Sequence, residues 1–267
     1  MNIWSNKQME KLCNGLEMRL GNSGCGEVDT QWNYSFTTSF NRLYLVEEGE
    51  SWLSGGGETF RMEPGKAYLL PAGLHCSYRC ESNMKKLYFH FNLLKPDHYD
   101  LLQGMDRIGE ISFSLCWLEE LKRHYPGETY GDGLFVKAQL LELISRFDEK
   151  YGFGNQRLPL YSKLVNSAIG YIHGNLTAKL RVEEIASGLF VSRSFLSQEF
   201  RKEVGVPIGR YIDEQLIIAA QWKLSRSDDS VESVSARLGY CNPFYFSKCF
   251  KTRCGMSPTE FRKQSRQ

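Results

Sequence analysis

The sequence of 267 residues predicts a multidomain α+β protein, in which a β-rich domain with flanking helices precedes an all-helical domain. Two patterns predict this fold class. Short strands separated by glycine turns occupy the first hundred or so residues, which is typical of a small barrel or jelly roll. After residue 180, one helical pattern occurs twice, which indicates two similar helical modules side by side. A change in the sign of the net charge between the two halves supports the division.

The overall net charge of +2 conceals two oppositely charged halves. From residue 158 to the end there are 16 Lys and Arg against 10 Asp and Glu, a net charge of +6. The preceding part has 17 against 21, a net charge of −4. A basic C-terminal half favours a nucleic-acid partner. The scattered cysteines, the absence of an N-terminal targeting pattern and the absence of a long apolar run predict a reduced, cytoplasmic protein without a membrane partner.

Most of the N-terminal half is predicted to form short strands. Residues 1–40 look irregular and Gly21–Gly26 is predicted as a loop, although aromatic residues alternate with polar ones from Trp32 to Phe36, as in a strand. Further strands, each bounded by glycine or proline turns, are predicted at Arg42–Glu47, Ser51–Leu53, Thr59–Met62, Ala67–Leu70, Cys76–Cys80 and Leu87–Leu93.

Two amphipathic helices are predicted in the middle of the chain, at Phe113–His124 and Leu134–Tyr151. The apolar stripe of each helix packs either on its own barrel or on a second copy of the chain. Tyr151–Pro159, with two glycines and a proline, is the predicted linker between domains. The apolar stripes consist of Leu115, Leu118 and Leu121 in the first helix, and of Phe135, Ala138, Leu141, Ile144 and Phe147 in the second.

The second helical module lies at Gly239–Arg262, where a glycine turn precedes a short helix. Gly239 suits the left-handed position past a helix end. Asn242 can cap the next helix, and Pro243 fits its first position. Phe246 and Phe250, four residues apart, are predicted to be buried on one face. Gly255 ends this helix, and Ser257-Pro258 begins one more.

The first helical module repeats this pattern fifty residues earlier. Ser192 is the predicted cap, and the helix is expected to turn Phe195, Leu196 and Phe200 inward. A further helix, Ile208–Ser225, is predicted to connect the two modules. A helix followed by a turn and a second helix with an outward polar face is the arrangement that enters the major groove of DNA.

The last hundred or so residues resemble the DNA-binding domain of the AraC/XylS family of bacterial transcription regulators. The pattern GY…NP.YFSK.FK…GMSP.EFR in the second module is close to that family's signature. The N-terminal half is similar to the cupin-like sensor domain often attached to it, through Gly65, Pro71, Gly73 and His75. The resemblance implies a sensor domain at 1–110, a dimerisation pair and linker at 111–157, and a DNA-binding domain at 158–267. It also implies double-stranded DNA, RNA polymerase and a second copy of the chain as partners.

The candidate DNA-binding residues lie on the outward face of the second helix of each module. Gln198 and Arg193 can hydrogen-bond base edges, while Pro243 and Phe244 suit thymine methyl groups. Lys251, Arg253 and Arg262 are expected to meet the phosphate backbone. The DNA-binding set is Ser192, Arg193, Ser194, Ser197, Gln198, Arg201, Asn242, Pro243, Phe244, Ser247, Lys248 and Lys251.

Aromatic and polar residues near the mouth of the predicted barrel suit a small effector such as a sugar, although the aromatic residues could equally be core. The candidate effector-binding residues are Trp32, Tyr34, Arg42, Tyr44, His75, Tyr78 and Phe89. Metal-binding cupins use two or three histidines and a carboxylate. Only His75 and His90 lie in the strand region, so no metal, no cofactor and no catalytic residue is predicted.

Three functions remain open at this point. The first is a sequence-specific transcription regulator that senses a metabolite. The second is a metal-dependent cupin enzyme joined to a DNA-binding module. The third is a regulator whose barrel only dimerises or contacts another protein.

Overall fold

The computed structural model describes residues 6–156 and 161–265, and these form two compact units. The β-rich unit consists of Glu17–Leu94 and Asp100–Gln156. The other unit contains the C-terminal helices, together with helix α1 (Lys7–Gly15) and the segment Lys95–Tyr99. The end of the predicted linker and the predicted boundary at residue 158 lie outside the described residues.

The β-rich unit contains two antiparallel sheets, which confirms the predicted jelly roll as a pair of sheets. The five-stranded sheet has the order β1-β8-β3-β6-β9, and the four-stranded sheet has the order β2-β7-β4-β5. The strands are β1 (Glu17–Val28), β2 (Asn33–Thr37), β3 (Asn41–Gly49), β4 (Ser51–Gly55), β5 (Glu58–Met62), β6 (Lys66–Leu70), β7 (His75–Arg79), β8 (Met84–Leu94) and β9 (Gly109–Ser112).

The prediction of a loop at Gly21–Gly26 is wrong, because this segment lies within β1. β1 pairs with β8 along its length, and its register shifts between Leu20 and Ser23. A Cβ atom at Gly24 would lie only 3.0 Å from the ring of Tyr88, so the missing side chain makes room for the tyrosine on the neighbouring strand. Strand β9 and helix α1 were also absent from the sequence prediction.

Alternation along the strands separates two apolar layers. In β8, Leu87, Phe89, Phe91 and Leu93 belong to a core that also contains residues of α2 (Leu115–His124) and α3 (Tyr130–Tyr151). The intervening residues of β8 face the four-stranded sheet, as expected from the period of two. The layer between the sheets therefore has a composition of its own, which is described below.

The predicted apolar stripe of α3 is only partly correct. Ile144 and Phe147 are buried, but Ala138 and Leu141 are exposed. The buried face instead follows Val136, Leu140, Leu143, Ile144 and Phe147, at the spacing of three and four residues that a helix requires. In α2, Leu118 and Leu121 are buried as predicted, whereas Leu115 is exposed.

The C-terminal helices confirm the predicted double module. Each module has a short first helix and a longer second helix, and α7 connects the two. The bounds are α4 (Lys163–Gly174), α5 (Val182–Gly188), α6 (Arg193–Val204), α7 (Ile208–Arg226), α8 (Val231–Arg237), α9 (Pro243–Cys254) and α10 (Pro258–Ser265). Phe200, Phe246 and Phe250 are fully buried, and burial of each aromatic side chain stabilises the fold by about 1.5–3 kcal/mol.

Candidate nucleic-acid interface

Helices α6 and α9 are capped in the same way at both ends. At the N-terminus of α6, the Ser192 hydroxyl accepts a hydrogen bond from the backbone N–H of Phe195 at 3.2 Å. At α9, the side-chain oxygen of Asn242 accepts from the N–H of Tyr245 at 2.8 Å. Gly205 and Gly255 end the two helices with φ of 86° and 78°, which is the left-handed cap that glycine favours. Both caps predicted from the sequence are thereby confirmed.

A constant offset of fifty residues relates α6 to α9. The buried pair Leu196 and Phe200 corresponds to the buried pair Phe246 and Phe250. Because both helices have 12 residues and the same buried positions, they present the same outward positions. On the face opposite the core, α6 and α9 expose the equivalent pairs Ser194 and Phe244, Gln198 and Lys248, and Arg201 and Lys251.

The turn before each of these helices also corresponds, but its residue differs. Gly239 and Phe190 both have a positive φ, of 77° and 57°. In each module the next residue donates a backbone hydrogen bond to the first helix, from Val191 at 3.0 Å and from Tyr240 at 3.1 Å. Glycine adopts this conformation without strain, whereas phenylalanine does not. The side chain of Phe190 is also 96% exposed, so its packing does not account for the strained backbone at this residue.

Known proteins resemble both the double helical module and the chain as a whole. Residues 185–264 match the family model described as a helix-turn-helix domain. The lactose operon transcription activator of Staphylococcus xylosus is 23% identical over 93% of this chain and 90% of its own length. The arabinose operon regulatory protein of Salmonella typhimurium is 24% identical, covering 82% of each chain. The C-terminal unit is thus a helix-turn-helix domain of the AraC type, and the chain as a whole is similar to regulators of sugar operons. This domain is of a DNA-binding type.

A solved structure has a similar fold. Fatty-acid-bound ToxT from Vibrio cholerae superimposes with a TM-score of 0.57, covering 92% of this chain and 95% of ToxT. The sequence identity is 13%, so this likeness concerns the fold alone.

The basic side chains of the C-terminal unit differ in whether they form ion pairs. Arg193 pairs with Glu183 at 3.0 Å, Arg253 with Asp213 at 3.5 Å, and Lys202 with Glu199 at 3.7 Å. By contrast, within residues 161–265 no ion pair involves Arg201, Lys248 or Lys251, all of which are exposed. Arg201, Lys248 and Lys251 therefore have their charge available to an external anion.

Two side chains of the C-terminal unit have surroundings that differ from those predicted. Phe195 is 50% exposed rather than buried, because it lies beside the Leu196–Phe200 stripe, where Tyr245 lies in the second module. Arg262 is half-buried and donates a hydrogen bond to the backbone carbonyl of Asp229. Its guanidinium thus stabilises the second module, which is not the phosphate contact predicted for it. Phe195, Tyr245 and Phe190 were missing from the predicted site, although they are exposed beside the outward faces.

Five of the seven candidate effector-binding residues come together between the two sheets of the β-rich unit. The rings of Trp32 and Tyr78 are 4.6 Å apart between centroids, and those of Tyr34 and Tyr78 are 5.3 Å apart. The hydroxyl groups of Tyr44 and Tyr78 are 3.2 Å apart. Arg42 donates a hydrogen bond to the hydroxyl of Tyr78. We call the group of Trp32, Tyr34, Phe36, Arg42, Tyr44, Tyr78 and Lys86 the inter-sheet cluster.

The other two candidates do not join this cluster. Phe89 points to the opposite face of its sheet, where its ring lies 5.6 Å from that of Tyr125. His75 is exposed, and its Nδ1 lies 3.2 Å from the hydroxyl of Thr37. Within the described ranges no group of three or more His, Cys, Asp or Glu side chains is placed to bind a metal ion. None of the described helices is both long and apolar enough to cross a membrane.

Proposed function

We propose that this chain regulates transcription by inserting α6 and α9 into successive major grooves on one face of DNA. The observation that supports this most strongly is the fifty-residue equivalence of the two helices, with the same caps, the same buried pair and the same outward positions. The connecting helix α7 has 19 residues and is thus about 28 Å long. With the width of the modules added, this length is compatible with the spacing of about 34 Å between successive major grooves.

We assign different tasks to the two outward faces. Gln198 and Ser194 on α6 are suited to hydrogen bonds with base edges, and glutamine is a natural partner of adenine. On α9, Phe244 suits a thymine methyl group and Lys248 suits guanine. Arg201 and Lys251 lie one turn further along each helix and are suited to phosphate. The remaining members of the predicted set lie around the helix starts or flank these faces: Ser192, Arg193, Ser197, Asn242, Pro243 and Ser247.

The experiment that tests this function is selection of bound sequences from a random pool of DNA duplexes by the full chain. We expect enrichment of one sequence with two short conserved blocks. Recovery of unchanged random sequence would contradict sequence-specific binding. We propose also that the chain acts by binding and not by catalysis. Its place of action is then the cytoplasm, where DNA and RNA polymerase are available.

We propose further that a small metabolite binds between the sheets and controls the DNA-binding unit. The inter-sheet cluster supports this, because it brings aromatic faces and polar groups of both sheets together, as ligand pockets do. The names of the two relatives above refer to a lactose and an arabinose operon, so sugars and sugar derivatives belong in a first ligand panel.

We also propose that the chain dimerises through the exposed stripe of α3, consisting of Tyr130, Leu134, Ala138 and Leu141. Leu134 is 71% exposed, which is costly for a large apolar side chain unless another surface covers it. Leu134→Glu should therefore shift the full chain from dimer to monomer in sedimentation velocity. Arg123→Glu, which places the same side chain at an exposed site of α2, should leave the dimer intact. A dimer unchanged by Leu134→Glu would contradict this surface.

A further inference from the structure

The layer between the two sheets contains three basic side chains that are almost completely buried. Arg42 is 0% exposed, Lys86 2% and His90 6%. They lie on paired strands, since Arg42 is opposite His90 and Val46 is opposite Lys86 in the register of β3 and β8. Their positions alternate with residues of the outer core, so all three face the four-stranded sheet. This places three basic groups within one apolar layer.

Arg42 has donors that remain without a partner. Its Nη1 donates to the hydroxyl of Tyr78, and the guanidinium lies beside the thiol of Cys76 and 4.7 Å from the ring centroid of Phe36. Nε and Nη2 are nevertheless buried without a hydrogen-bond partner. These two nitrogens lie on one edge of the guanidinium plane, where their N–H bonds run parallel. That edge is the fork with which arginine binds two oxygens of one carboxylate or phosphate. A buried donor without a partner costs free energy, so the free edge indicates that something else satisfies it.

Lys86 is surrounded by aromatic rings. Its Nζ lies 3.7 Å from the ring centroid of Trp32 and 4.4 Å from that of Tyr44. Aromatic faces attract a cation but supply no counter-charge. Burial lowers the pKa of Lys86 well below its usual range; the thiol of Cys80 opposes this shift, and the neighbouring charge of Arg42 adds to it. The pKa of His90 is lowered for the same reason, by burial and then by Arg42 and Lys86.

Within residues 17–94 and 100–156, no Asp or Glu forms an ion pair with any of the three basic groups. The buried acid of this unit, Asp100, is already bound elsewhere. Its carboxylate accepts hydrogen bonds from the side-chain amides of Asn41 and Asn92, at 2.9 and 2.7 Å, and from the backbone of Leu93 at 3.0 Å. The inter-sheet cluster is therefore positively charged and uncompensated, which is expensive in a low-dielectric layer unless an anion enters.

We propose that the inter-sheet cluster binds the oxyanion of a small ligand, a carboxylate or a phosphate group, between Arg42 and Lys86. The proposal rests on the ligand-sensing role proposed above and names the chemical class of that ligand. The free edge of Arg42 takes two oxygens, Lys86 supplies the second positive charge, and the rings of Trp32 and Tyr44 cover the body of the molecule. A neutral sugar would leave the charge of Arg42 uncompensated and would not favour the charged form of Lys86, whereas an acidic or phosphorylated sugar does both.

The protonation of Lys86 gives this binding a defined pH dependence. The lowered pKa means that Lys86 resists protonation when the cluster is empty. A bound anion favours the charged form and raises that pKa, so binding takes up a proton. Affinity for the anion should therefore fall as the pH rises above the lowered pKa of the empty cluster, towards the usual lysine value of about 10.4.

The test compares thermal denaturation of the full chain with matched ligands at equal ionic strength. The pairs are glucose 6-phosphate and glucose, glucuronate and glucose, and benzoate and benzyl alcohol. A ligand that binds only the native state raises the melting temperature, so the anion of each pair should raise it more than its neutral partner. Equal shifts from the members of every pair would overturn the anion proposal but leave ligand sensing intact. The absence of any shift with these anions would also overturn it, and DNA binding would be unaffected by either result.

Substitutions then locate the anion, since the basic DNA-binding unit can also attract it. Lys86→Met removes a buried cation without changing the size of the side chain greatly. We expect it to raise the melting temperature of the ligand-free chain and to weaken the anion at least about tenfold, as loss of one partner of a buried charge pair does. Lys85→Met is the matched control, because Lys85 is the exposed neighbour that pairs with Glu48 at 2.8 Å.

Lys85→Met should retain the full anion-dependent shift of the melting temperature. Arg42→Gln is a second variant that should lose the shift, because it removes the guanidinium edge while leaving a polar side chain at this position. If this variant fails to fold, Lys86→Met alone decides the question. An anion-dependent shift that persists in Lys86→Met would place the anion outside the inter-sheet cluster and overturn the proposal.

Discussion

Gly239→Ala is expected to destabilise the DNA-binding unit by about 2–5 kcal/mol. Two effects combine at this position. The φ of 77° is strained for any residue with a Cβ atom, and that Cβ would lie 1.9 Å from the hydroxyl oxygen of Thr177. The surrounding backbone cannot move away easily, because the N–H of Ala178 donates to the carbonyl of Leu238 at 2.8 Å. Urea denaturation, followed by circular dichroism, measures the loss.

The chain provides matched controls for each of these effects. Gly205→Ala meets a φ of 86° but has no atom within 4 Å of the added Cβ, so it should cost the backbone strain alone. Phe190→Gly is the opposite change at the equivalent turn of the first module, and should stabilise the chain by about 1 kcal/mol. Equal costs for Gly239→Ala and Gly205→Ala would show that Thr177 does not restrict this turn.

Gln198→Ala should weaken binding to the selected DNA site by about 1–3 kcal/mol and relax the preference at one base pair. Binding to scrambled DNA should change little, since a neutral side chain releases no counterion. Lys251→Ala should instead weaken binding to both DNAs. It should also reduce the slope of log affinity against log salt by about one, because one phosphate contact is lost.

Titrations of both variants at several salt concentrations distinguish base contacts from phosphate contacts, and each variant is the control for the other. Folding should survive both changes, since Gln198 and Lys251 are exposed and lie opposite the buried stripes of their helices. Equal weakening of cognate and scrambled DNA by Gln198→Ala would contradict its assignment to a base edge. An unchanged salt dependence in Lys251→Ala would contradict its assignment to phosphate.

The helical modules were predictable because their determinants are local. Caps such as Ser192 and Asn242, and the glycines that end helices, act within a few residues of their position in the chain. Where a helix has apolar residues on two faces, the sequence does not show which of the two faces is buried. The stripe of α3 was misplaced because Ala138 and Leu141 are apolar and correctly spaced, yet they lie on the exposed face. Only the packing of α3 in the tertiary structure separates the two faces.

The inter-sheet cluster shows the same limit for strands. Trp32, Tyr34, Tyr44 and Tyr78 were identified as aromatic residues near the mouth of the predicted barrel, but Phe89 was included in error because the register of β8 was unknown. Alternation along Lys85-Lys86-Leu87 requires Lys86 to face the side opposite Leu87, which is the buried inter-sheet layer. A lysine in that layer contradicts the usual preference for exposure, so composition alone favours a surface position. The buried charge that carries the ligand proposal is thus visible only in the folded chain.

The spacing of the two conserved blocks in the DNA selected by the full chain tests the central claim most directly. If one chain places α6 and α9 in successive major grooves, the centres of the blocks should be about 10–10.5 base pairs apart. Lys248→Ala should relax only one block, and Gln198→Ala only the other. A single uninterrupted block, or two blocks separated by half a helical turn, would contradict the proposed placement of the two helices.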